Sequence, residues 1–335
     1  MQYRVLGKTG MEVSRISFGG IPIQQLNQED SNKLIEKALE QGINFIDTAR
    51  GYSVSESLIG GALQGKRQQV FLATKSMARD KEGFKQDIET SLNNLKTDYI
   101  DLYQLHNITN LQEFEKVMAK GGALEALQEY RDKGVIKHIG ITSHSVDIIE
   151  KALEYDVFET IQYPYNAIET QGSELFRKAH EKNIGIIGMK PFAGGAITNA
   201  RAALKFILQN QHITCAIPGM CSIEQLMDNI KAIDEMPLTQ AEKEALSKEA
   251  SELGERFCRR CGYCQPCPKG INIPVVFVME SYYKRYNLME WAQTRYDSMP
   301  SKASDCEKCG LCETRCPYQL PIREMLESVR ETFEK

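Results

Sequence analysis

Cysteines near the end of the chain have the clearest capacity for chemistry. Of the ten cysteines, eight form two tight runs, and only Cys215 and Cys221 precede them. The eight are Cys258, Cys261, Cys264 and Cys267 in the first run, and Cys306, Cys309, Cys312 and Cys316 in the second. Such clustering in a chain of this length is typical of metal binding rather than of a disulfide framework.

The second run, C-x2-C-x2-C-x3-C-P, matches the cysteine pattern of bacterial ferredoxins. In two-cluster ferredoxins, the first three cysteines of a run wrap one cubane and the fourth ligates the other cluster. We therefore predict two 4Fe–4S clusters. Their ligand sets are Cys258, Cys261, Cys264 and Cys316 for one, and Cys306, Cys309, Cys312 and Cys267 for the other. Cys267 has the least certain place, because its spacing departs from the pattern, and structural zinc is the alternative.

The segment between the two runs is too long for a compact ferredoxin. Its stripe of large side chains has helical spacing and comprises Met279, Tyr282, Tyr283, Tyr286 and Met289. We expect this stripe to pack over the clusters; an electron path through its tyrosines is the alternative. Basic residues near the cysteines would offset anionic clusters or dock an acidic redox protein.

A second group with chemical capacity lies in the first third of the chain. Asp47, Tyr52, Lys75 and His106 each stand at or just after the end of a short apolar run. A tyrosine with a pKa near ~10 shares its proton poorly at neutral pH. A neighbouring Lys75 ammonium would lower that pKa, and Asp47 would hold the lysine in place. With His106 orienting the oxygen, the four residues predict proton transfer to a carbonyl.

Short apolar runs alternate with amphipathic helical patterns from Ile16 to Ile233. We predict eight strands, at 16–20, 44–49, 70–76, 99–106, 138–143, 160–166, 185–192 and 215–220. Several helices follow good N-cap residues: Asp30, Ser145 and Ser222. The alternation predicts a closed (β/α)8 TIM barrel, which would gather the four polar residues at one face. An open doubly wound sheet is the alternative, but no G-x-G-x-x-G motif supports it.

Two domains follow from this pattern. Residues 1–250 form the barrel, with a hairpin around Lys8–Gly10 closing its floor, and residues 251–335 form a small, mainly helical two-cluster ferredoxin-like domain. A polar helix after Pro237 leads into the first cysteine run.

Motifs at the strand ends resemble those of the aldo/keto reductase family. They are DTARGY at 47–52, followed by Ser55-Glu56 and Ile59-Gly60, then ATK at 73–75 and DYIDLYQLH at 98–106. The resemblance covers roughly residues 1–235. It implies a TIM barrel, an NAD(P)H cofactor across the strand ends, and hydride transfer between nicotinamide and a carbonyl. With its cysteine domain, the chain is similar to aldo/keto reductase–ferredoxin fusions.

The resemblance also implies cofactor contacts. The pair that holds the nicotinamide carboxamide falls on Thr142 and Ser143, and the strand-six glutamine falls on Gln162. Met189 replaces a tyrosine that commonly stacks on the nicotinamide, and Ser222 replaces an arginine that clamps the 2′-phosphate. Other residues at matching positions are Lys190, Gly219, Gln225 and Asn229. Because the expected arginine is missing, the choice between NADH and NADPH stays open, and Lys190 or another cation would substitute.

The leading hypothesis is an NAD(P)H-linked oxidoreductase that reduces a carbonyl or oxidises an alcohol, with the clusters transferring electrons. Nicotinamide gives two electrons as hydride, whereas a four-iron cluster takes one at a time. Three alternatives therefore remain: structural or docking clusters beside a plain reductase, clusters that feed single electrons to the substrate, and a nucleotide-binding module without turnover. His144, on the active face, is a candidate substrate contact.

The charge composition of the chain limits the classes of binding partner that we expect. Lys+Arg is 41 and Asp+Glu is 45, which gives a net charge of −4 and no reason to expect nucleic acid or a membrane surface. No apolar run is long enough to span a bilayer, and the N-terminus lacks a secretory signal. We expect a cytoplasmic protein that acts on a small carbonyl or alcohol substrate, with a redox protein as a candidate partner.

Overall fold

A hairpin begins the fold and closes one end of a barrel. The computed structural model describes residues 1–334, and they contain ten strands. The strands are β1 Tyr3–Val5, β2 Glu12–Ser14, β3 Phe18–Gly19, β4 Phe45–Asp47, β5 Phe71–Ser76, β6 Ile100–Leu105, β7 Ile136–Thr142, β8 Thr160–Pro164, β9 Gly185–Met189 and β10 Cys215–Ile217. The antiparallel β1–β2 hairpin buries Leu6, Met11 and Val13 against side chains inside the barrel, as predicted for the floor.

Strands β3 to β10 form one parallel sheet of eight strands in sequence order. Two bridges, Ile16 to Ala216 and Gly19 to Gly219, join its first and last strands. Gly19 has to be small, because a Cβ there would lie 2.7 Å from the Ile217 carbonyl oxygen. The sheet is therefore nearly closed, and the prediction of an eight-stranded barrel is confirmed.

Helices surround the barrel and continue beyond it. They are α1 Gln28–Glu40, α2 Ser55–Ala62, α3 Lys81–Leu95, α4 Leu111–Met118, α5 Ala123–Asp132, α6 Val146–Ala152, α7 Ser173–Glu181, α8 Ala200–Gln209, α9 Ile223–Asp234, α10 Gln240–Gly254, α11 Ile273–Arg285, α12 Met289–Asp297, α13 Leu311–Arg315 and α14 Ile322–Phe333. The largest apolar cluster lies between the strands and α1 to α9. No helix within residues 1–334 combines the length and the apolar character needed to cross a membrane.

Two of the three predicted N-caps are at the predicted residues. Ser222 caps α9 by accepting a hydrogen bond from the Gln225 N–H at 3.1 Å, and Ser145 precedes α6 without a side-chain cap bond. The prediction for Asp30 was wrong. Asn27 is the cap of α1, and it accepts from the Asp30 N–H, because the helix begins one turn earlier than its apolar pattern indicates.

Helix α10 connects the barrel to the cysteine-rich part. Thr239 and Glu242 form a capping box that starts it. Leu246 is buried against barrel residues that include Ile168 and Ile197. Because α10 ends at Gly254, the predicted boundary between residues 250 and 251 lies in its last turn, and that boundary remains a prediction.

The cysteine-rich part has its own apolar core, contributed mainly by α11, α12 and α14. Within the predicted stripe, Met279 and Tyr282 are buried in this core. The stripe does not continue as one helix, because α11 ends at Arg285 and Asn287 turns the chain with φ of 52°. Met289 starts α12 and is 48% exposed, so its predicted packing was wrong.

The cysteine-rich part lies over the end of the barrel at which the parallel strands finish. Its Arg295 Nη2 donates to the carbonyl oxygen of Gly51, in the loop after β4, at 2.8 Å. The Tyr263 hydroxyl donates to Asp147, at the start of α6, at 2.7 Å. Arg260 pairs with Glu169, in the loop after β8, at 2.5 Å. This is the face that carries active sites in TIM barrels.

The Arg260–Glu169 pair is expected to contribute most to this docking, because its side chains are only 10% and 0% exposed. Removing one partner of a buried pair leaves an uncompensated charge, which costs about 3–5 kcal/mol. We expect Glu169→Gln to lower the free energy of unfolding by about that amount in urea titrations. Asp147→Asn, at the exposed Tyr263 contact, is the matched control and should cost less than about 1 kcal/mol. Equal effects of the two substitutions would contradict this view of the interface.

Candidate functional site

A buried ion pair lies at the centre of the strand ends. Asp47 ends β4 and Lys75 lies near the end of the neighbouring β5, which brings Nζ within 2.7 Å of Oδ1. Lys75 Nζ also donates to the Thr48 carbonyl oxygen at 2.6 Å, and Gln104 Nε2 donates to Asp47 Oδ2 at 3.3 Å. Burial lowers the pKa of Lys75 and raises that of Asp47, and the attraction between the two charges opposes both shifts.

Tyr52 and His106 lie above this pair. Lys75 Nζ is 5.1 Å from the centre of the Tyr52 ring, and the Tyr52 and His106 rings meet edge to face at 5.8 Å between centres. Burial, reinforced by the Lys75 charge, lowers the pKa of His106 well below its usual value. The imidazole is therefore neutral at physiological pH, and it can donate a hydrogen bond without competing as the proton source.

The pKa of Tyr52 is raised overall, and the lowering expected from Lys75 remains a prediction. Burial raises that pKa well above its ordinary value, and the nearby Tyr282 and Asp47 reinforce the shift. The Lys75 ammonium is bonded to Asp47 and to the Thr48 carbonyl oxygen, and it lies 5.1 Å from the centre of the Tyr52 ring. Tyr52 is thus a protonated phenol, which suits a proton donor to a carbonyl oxygen.

Two adjoining cavities open beside Tyr52. The smaller has a volume of about 60 Å³ and contains the reactive groups Asp47 and Tyr52. The larger has a volume of about 390 Å³ and extends along the start of α9. Phe192, Gly219 and Tyr286 line both cavities, so the two form one groove across the strand ends.

The first predicted cluster set is brought together in one place. Cys258, Cys261, Cys264 and Cys316 line a single cavity, although Cys316 is distant from the others in sequence. A zinc ion would need all four sulfurs about 2.3 Å from one centre. Within residues 1–334 no three His, Cys, Asp or Glu side chains converge in that way. Four thiols that line one cavity are the donor set that a cubane takes, with one sulfur at each iron corner.

The second set is held together by contacts between the two cysteine runs. Arg315 Nη1 donates to the Pro266 carbonyl oxygen at 3.0 Å, and Lys269 pairs with Glu307 at 2.5 Å. Burial raises the pKa of the Cys312 thiol, and the neighbouring Glu313 and Cys306 also raise it. The loop that contains Cys267 thus lies against the second run, and the role of Cys267 as a ligand remains a prediction.

Comparison with known proteins decides the family. A model described as the aldo/keto reductase family matches residues 15–202, and one described as a 4Fe-4S dicluster domain matches residues 257–321. The chain belongs to the aldo/keto reductase family. It is an oxidoreductase of that family with a C-terminal 4Fe–4S dicluster domain, hereafter the cluster domain, which implies two clusters. Family membership implies the use of NAD(P)H.

Similar proteins cover most of the barrel. The chain is 26% identical over 305 residues to the uncharacterized oxidoreductase YqkF of Bacillus subtilis, an alignment that covers 75% of this chain and 97% of that one. It is 35% identical over 193 residues to the aldo-keto reductase YhdN of the same organism, covering 52% and 56%. The holo form of aldo-keto reductase AKR11C1 from Bacillus halodurans superposes with a TM-score of 0.66 and 26% identity, covering 76% of this chain and 96% of that chain.

Most of the predicted cofactor residues of this reductase line the groove. Gln162, Met189 and Lys190 line the smaller cavity, Gln225 and Asn229 line the larger one, and Gly219 lines both. Gln162 Oε1 is buried without a hydrogen-bond partner, which leaves an acceptor free in the reactive cavity. An unpaired acceptor at this place fits the amide N–H groups of a nicotinamide.

Three predicted cofactor residues do not line the groove. Thr142 Oγ1 accepts from the Asn107 N–H at 2.7 Å, and Ser143 Oγ donates to the Ile108 carbonyl oxygen at 2.6 Å. Both hydroxyls hold the loop after β6 in place, so the carboxamide contacts predicted for them have no support here. Ser222 caps α9 and leaves no cation at the position where the family commonly has arginine.

Lys190 lines the smaller cavity, and no carboxylate within residues 1–334 forms an ion pair with it. Its backbone has a φ of 56°, and its carbonyl oxygen accepts from Asn166 Nδ2 at 3.0 Å, which fixes the turn. Burial, together with the neighbouring Arg260, lowers the pKa of the Lys190 ammonium to about 7, and Glu169 opposes the shift. Lys190 therefore changes charge near neutral pH.

Several residues of the site were not predicted from the sequence. Glu169 and Asn166 connect the cluster domain to the Lys190 turn, and Arg285 lines the larger cavity. No spacing in the sequence marks these residues, because they meet only when the two domains dock. The sequence did offer one signal, the pair Gly194-Gly195 after a strand end. Because glycine has no side chain, such a pair permits other chain segments to approach closely.

The crossed ligation can be tested by counting iron. Anaerobically purified protein should hold about eight iron atoms per chain. Cys316→Ala should lower the count towards about four and remove the EPR signal of one reduced cluster. Cys221→Ala, a thiol outside both runs, is the matched control and should retain the full count. An unchanged iron content in Cys316→Ala would contradict the crossed arrangement.

Proposed function

We propose that this reductase transfers hydride between NAD(P)H and a small carbonyl or alcohol, with Tyr52 as the acid and base. The observation that supports this most directly is a single cavity lined by Tyr52, Asp47 and Gln162, in which Gln162 Oε1 has no hydrogen-bond partner among residues 1–334. Thus proton donor and nicotinamide acceptor lie side by side. A binding module without turnover would not need a buried Asp47–Lys75 pair beneath the phenol.

The residues of the chain would supply the proton and the positioning. NAD(P)H, when bound, supplies a hydride to the carbonyl carbon. Tyr52 donates its proton to the carbonyl oxygen as that oxygen gains negative charge, and the product is an alcohol. The Lys75 ammonium stabilises the resulting tyrosinate, with Asp47 holding the lysine. Neutral His106 donates a hydrogen bond that orients the oxygen, and α11 excludes water from above.

We propose the crossed ligand sets for the two 4Fe–4S clusters, and a redox protein as their electron partner. The set that includes Cys258 is the one docked to the barrel, because the neighbouring Arg260 pairs with Glu169. Basic side chains near the cysteines, including the exposed Arg256 and Lys308, would attract an acidic partner.

A second candidate function is supported by the same docking. Here two single electrons from a reduced ferredoxin-type donor would reach a substrate carbonyl through the clusters, and Tyr52 would supply one of the two protons. Tyr282 of α11 and Tyr286 at its end are the cluster-domain tyrosines near Tyr52, and both reinforce the raised pKa of Tyr52. Turnover with NAD(P)H alone, retained after the clusters are destroyed, would favour hydride transfer over this candidate.

Replacement of the phenol tests the proton donor. Tyr52→Phe should lower kcat for NADPH-dependent carbonyl reduction by about 100-fold or more, because the carbonyl oxygen loses its proton source. The Kd for NADPH should change less than about twofold, since the ring remains. Tyr99→Phe, at a partly buried tyrosine that is bonded to Gln68 and lies outside both cavities, is the matched control. A Tyr52→Phe variant with full turnover would refute the assignment.

The pKa of Lys190 gives a pH dependence that can be measured on binding alone. The ammonium is charged below about pH 7 and neutral above it, so a bound anion is held more tightly at low pH. We expect the Kd for NADH to rise about tenfold between about pH 6 and pH 8, as protons are lost from Lys190. NADH suits this test because its pyrophosphate charge is constant over that range. Lys190→Met should remove the dependence, and a slope unchanged by that substitution would show that Lys190 does not contact the cofactor.

A further inference from the structure

The C-terminal end of α11 forms part of the barrel's groove, although α11 belongs to the cluster domain. Arg285 is the last residue of the helix, and Tyr286 caps it. Tyr286 lines both cavities, whereas Arg285 and Asn287 line the larger one. A nucleotide lying in this groove would therefore contact residues from both domains.

Two glycines of the barrel permit this approach. Gly194 and Gly195 follow β9 and have φ values of 67° and 79°, which side chains rarely adopt. A Cβ on Gly195 would lie 3.3 Å from the Arg285 Cβ, and one on Gly194 would lie 3.9 Å from the Tyr286 ring. The helix end and the loop after β9 are thus fitted closely to each other.

The guanidinium of Arg285 is available to bind the anion of a ligand. Within residues 1–334 no Asp or Glu forms an ion pair with it, whereas its neighbour Lys284 is bonded to Glu280 at 2.6 Å. Asp228, in the same cavity, is already paired with Arg201 at 2.9 Å. Ser222, at the position where the family commonly has arginine, is committed to capping α9.

We propose that the cluster domain completes the dinucleotide site, with Arg285 binding a cofactor phosphate and Tyr286 forming an aromatic wall of the reactive cavity. This inference rests on the proposed use of NAD(P)H. The barrel departs from its family at Ser222, where an arginine is common, and at Met189, where a tyrosine is common. Arg285 would supply the missing cation, and Tyr286 would supply the missing aromatic ring. A guanidinium matches phosphate geometry with two parallel hydrogen bonds.

The test measures nucleotide binding to the full chain with its clusters intact, without oxygen and without turnover. Titrations of NADPH and NADH, followed by calorimetry, give Kd values for the wild type, Arg285→Ala, Arg285→Lys and Lys284→Ala. Arg285→Ala should weaken NADPH binding about tenfold or more, with partial recovery in Arg285→Lys. Lys284→Ala, at the neighbouring paired cation, should stay within about twofold of the wild type.

The two nucleotides identify which phosphate is bound. Loss confined to NADPH assigns Arg285 to the 2′-phosphate, and equal loss for both nucleotides assigns it to the pyrophosphate. Wild-type Kd values in Arg285→Ala for both nucleotides would overturn the inference and leave the proposed function standing. A wild type that binds neither nucleotide would overturn both.

Tyr286 provides a second variant pair for the same titrations. Tyr286→Phe keeps the ring and should bind NADPH within about twofold of the wild type, whereas Tyr286→Ala should bind it about threefold to tenfold more weakly. If Tyr286→Ala binds as the wild type does, the aromatic wall has no role in holding the nucleotide.

Discussion

The buried pair of Arg260 and Glu169 is the interaction on which the arrangement of this reductase depends. Glu169 is inaccessible to solvent and receives hydrogen bonds from Arg260 and from Asn166. The backbone N–H of Arg260 donates to the Cys258 sulfur at 3.4 Å, and Asn166 bonds to the Lys190 carbonyl. One short chain of contacts therefore runs from a predicted cluster ligand to the reactive cavity. A carboxylate left alone at this depth would be costly, so the pair requires the two domains to be docked.

Docking of the cluster domain changes the surroundings of the aldo/keto reductase residues at the strand ends. The Asp47–Lys75 pair is built entirely by the barrel, whereas burial, reinforced by Tyr282 of the cluster domain, raises the pKa of Tyr52. Residues at the end of α11 likewise form one side of the groove in which we propose that a dinucleotide binds. This architecture would place the clusters beside the proposed hydride site without requiring the two to exchange electrons.

The parts of the protein that the sequence predicted are those determined locally. Strand ends carry Asp47, Lys75 and His106, and the (β/α)8 pattern brings all strand ends to one face. The cysteine spacing of two-cluster ferredoxins predicted that Cys316 joins the first set of cluster ligands. Thr142, Ser143 and Ser222 form loop and cap hydrogen bonds, and the cofactor contacts predicted for them remain predictions. The pKa of Tyr52 and the place of Arg285 could not be predicted, because both depend on how one domain packs on the other.

Centrally, we propose that the cluster domain forms a wall of the active site in addition to holding its clusters. Hydrogen–deuterium exchange on the anaerobic, cluster-loaded protein, with and without saturating NADPH, tests it most directly. The account predicts that NADPH slows exchange in residues 281–288 of the cluster domain together with residues 189–195 and 219–229 of the barrel. Protection confined to the barrel segments, with residues 281–288 exchanging at their original rate, would contradict it.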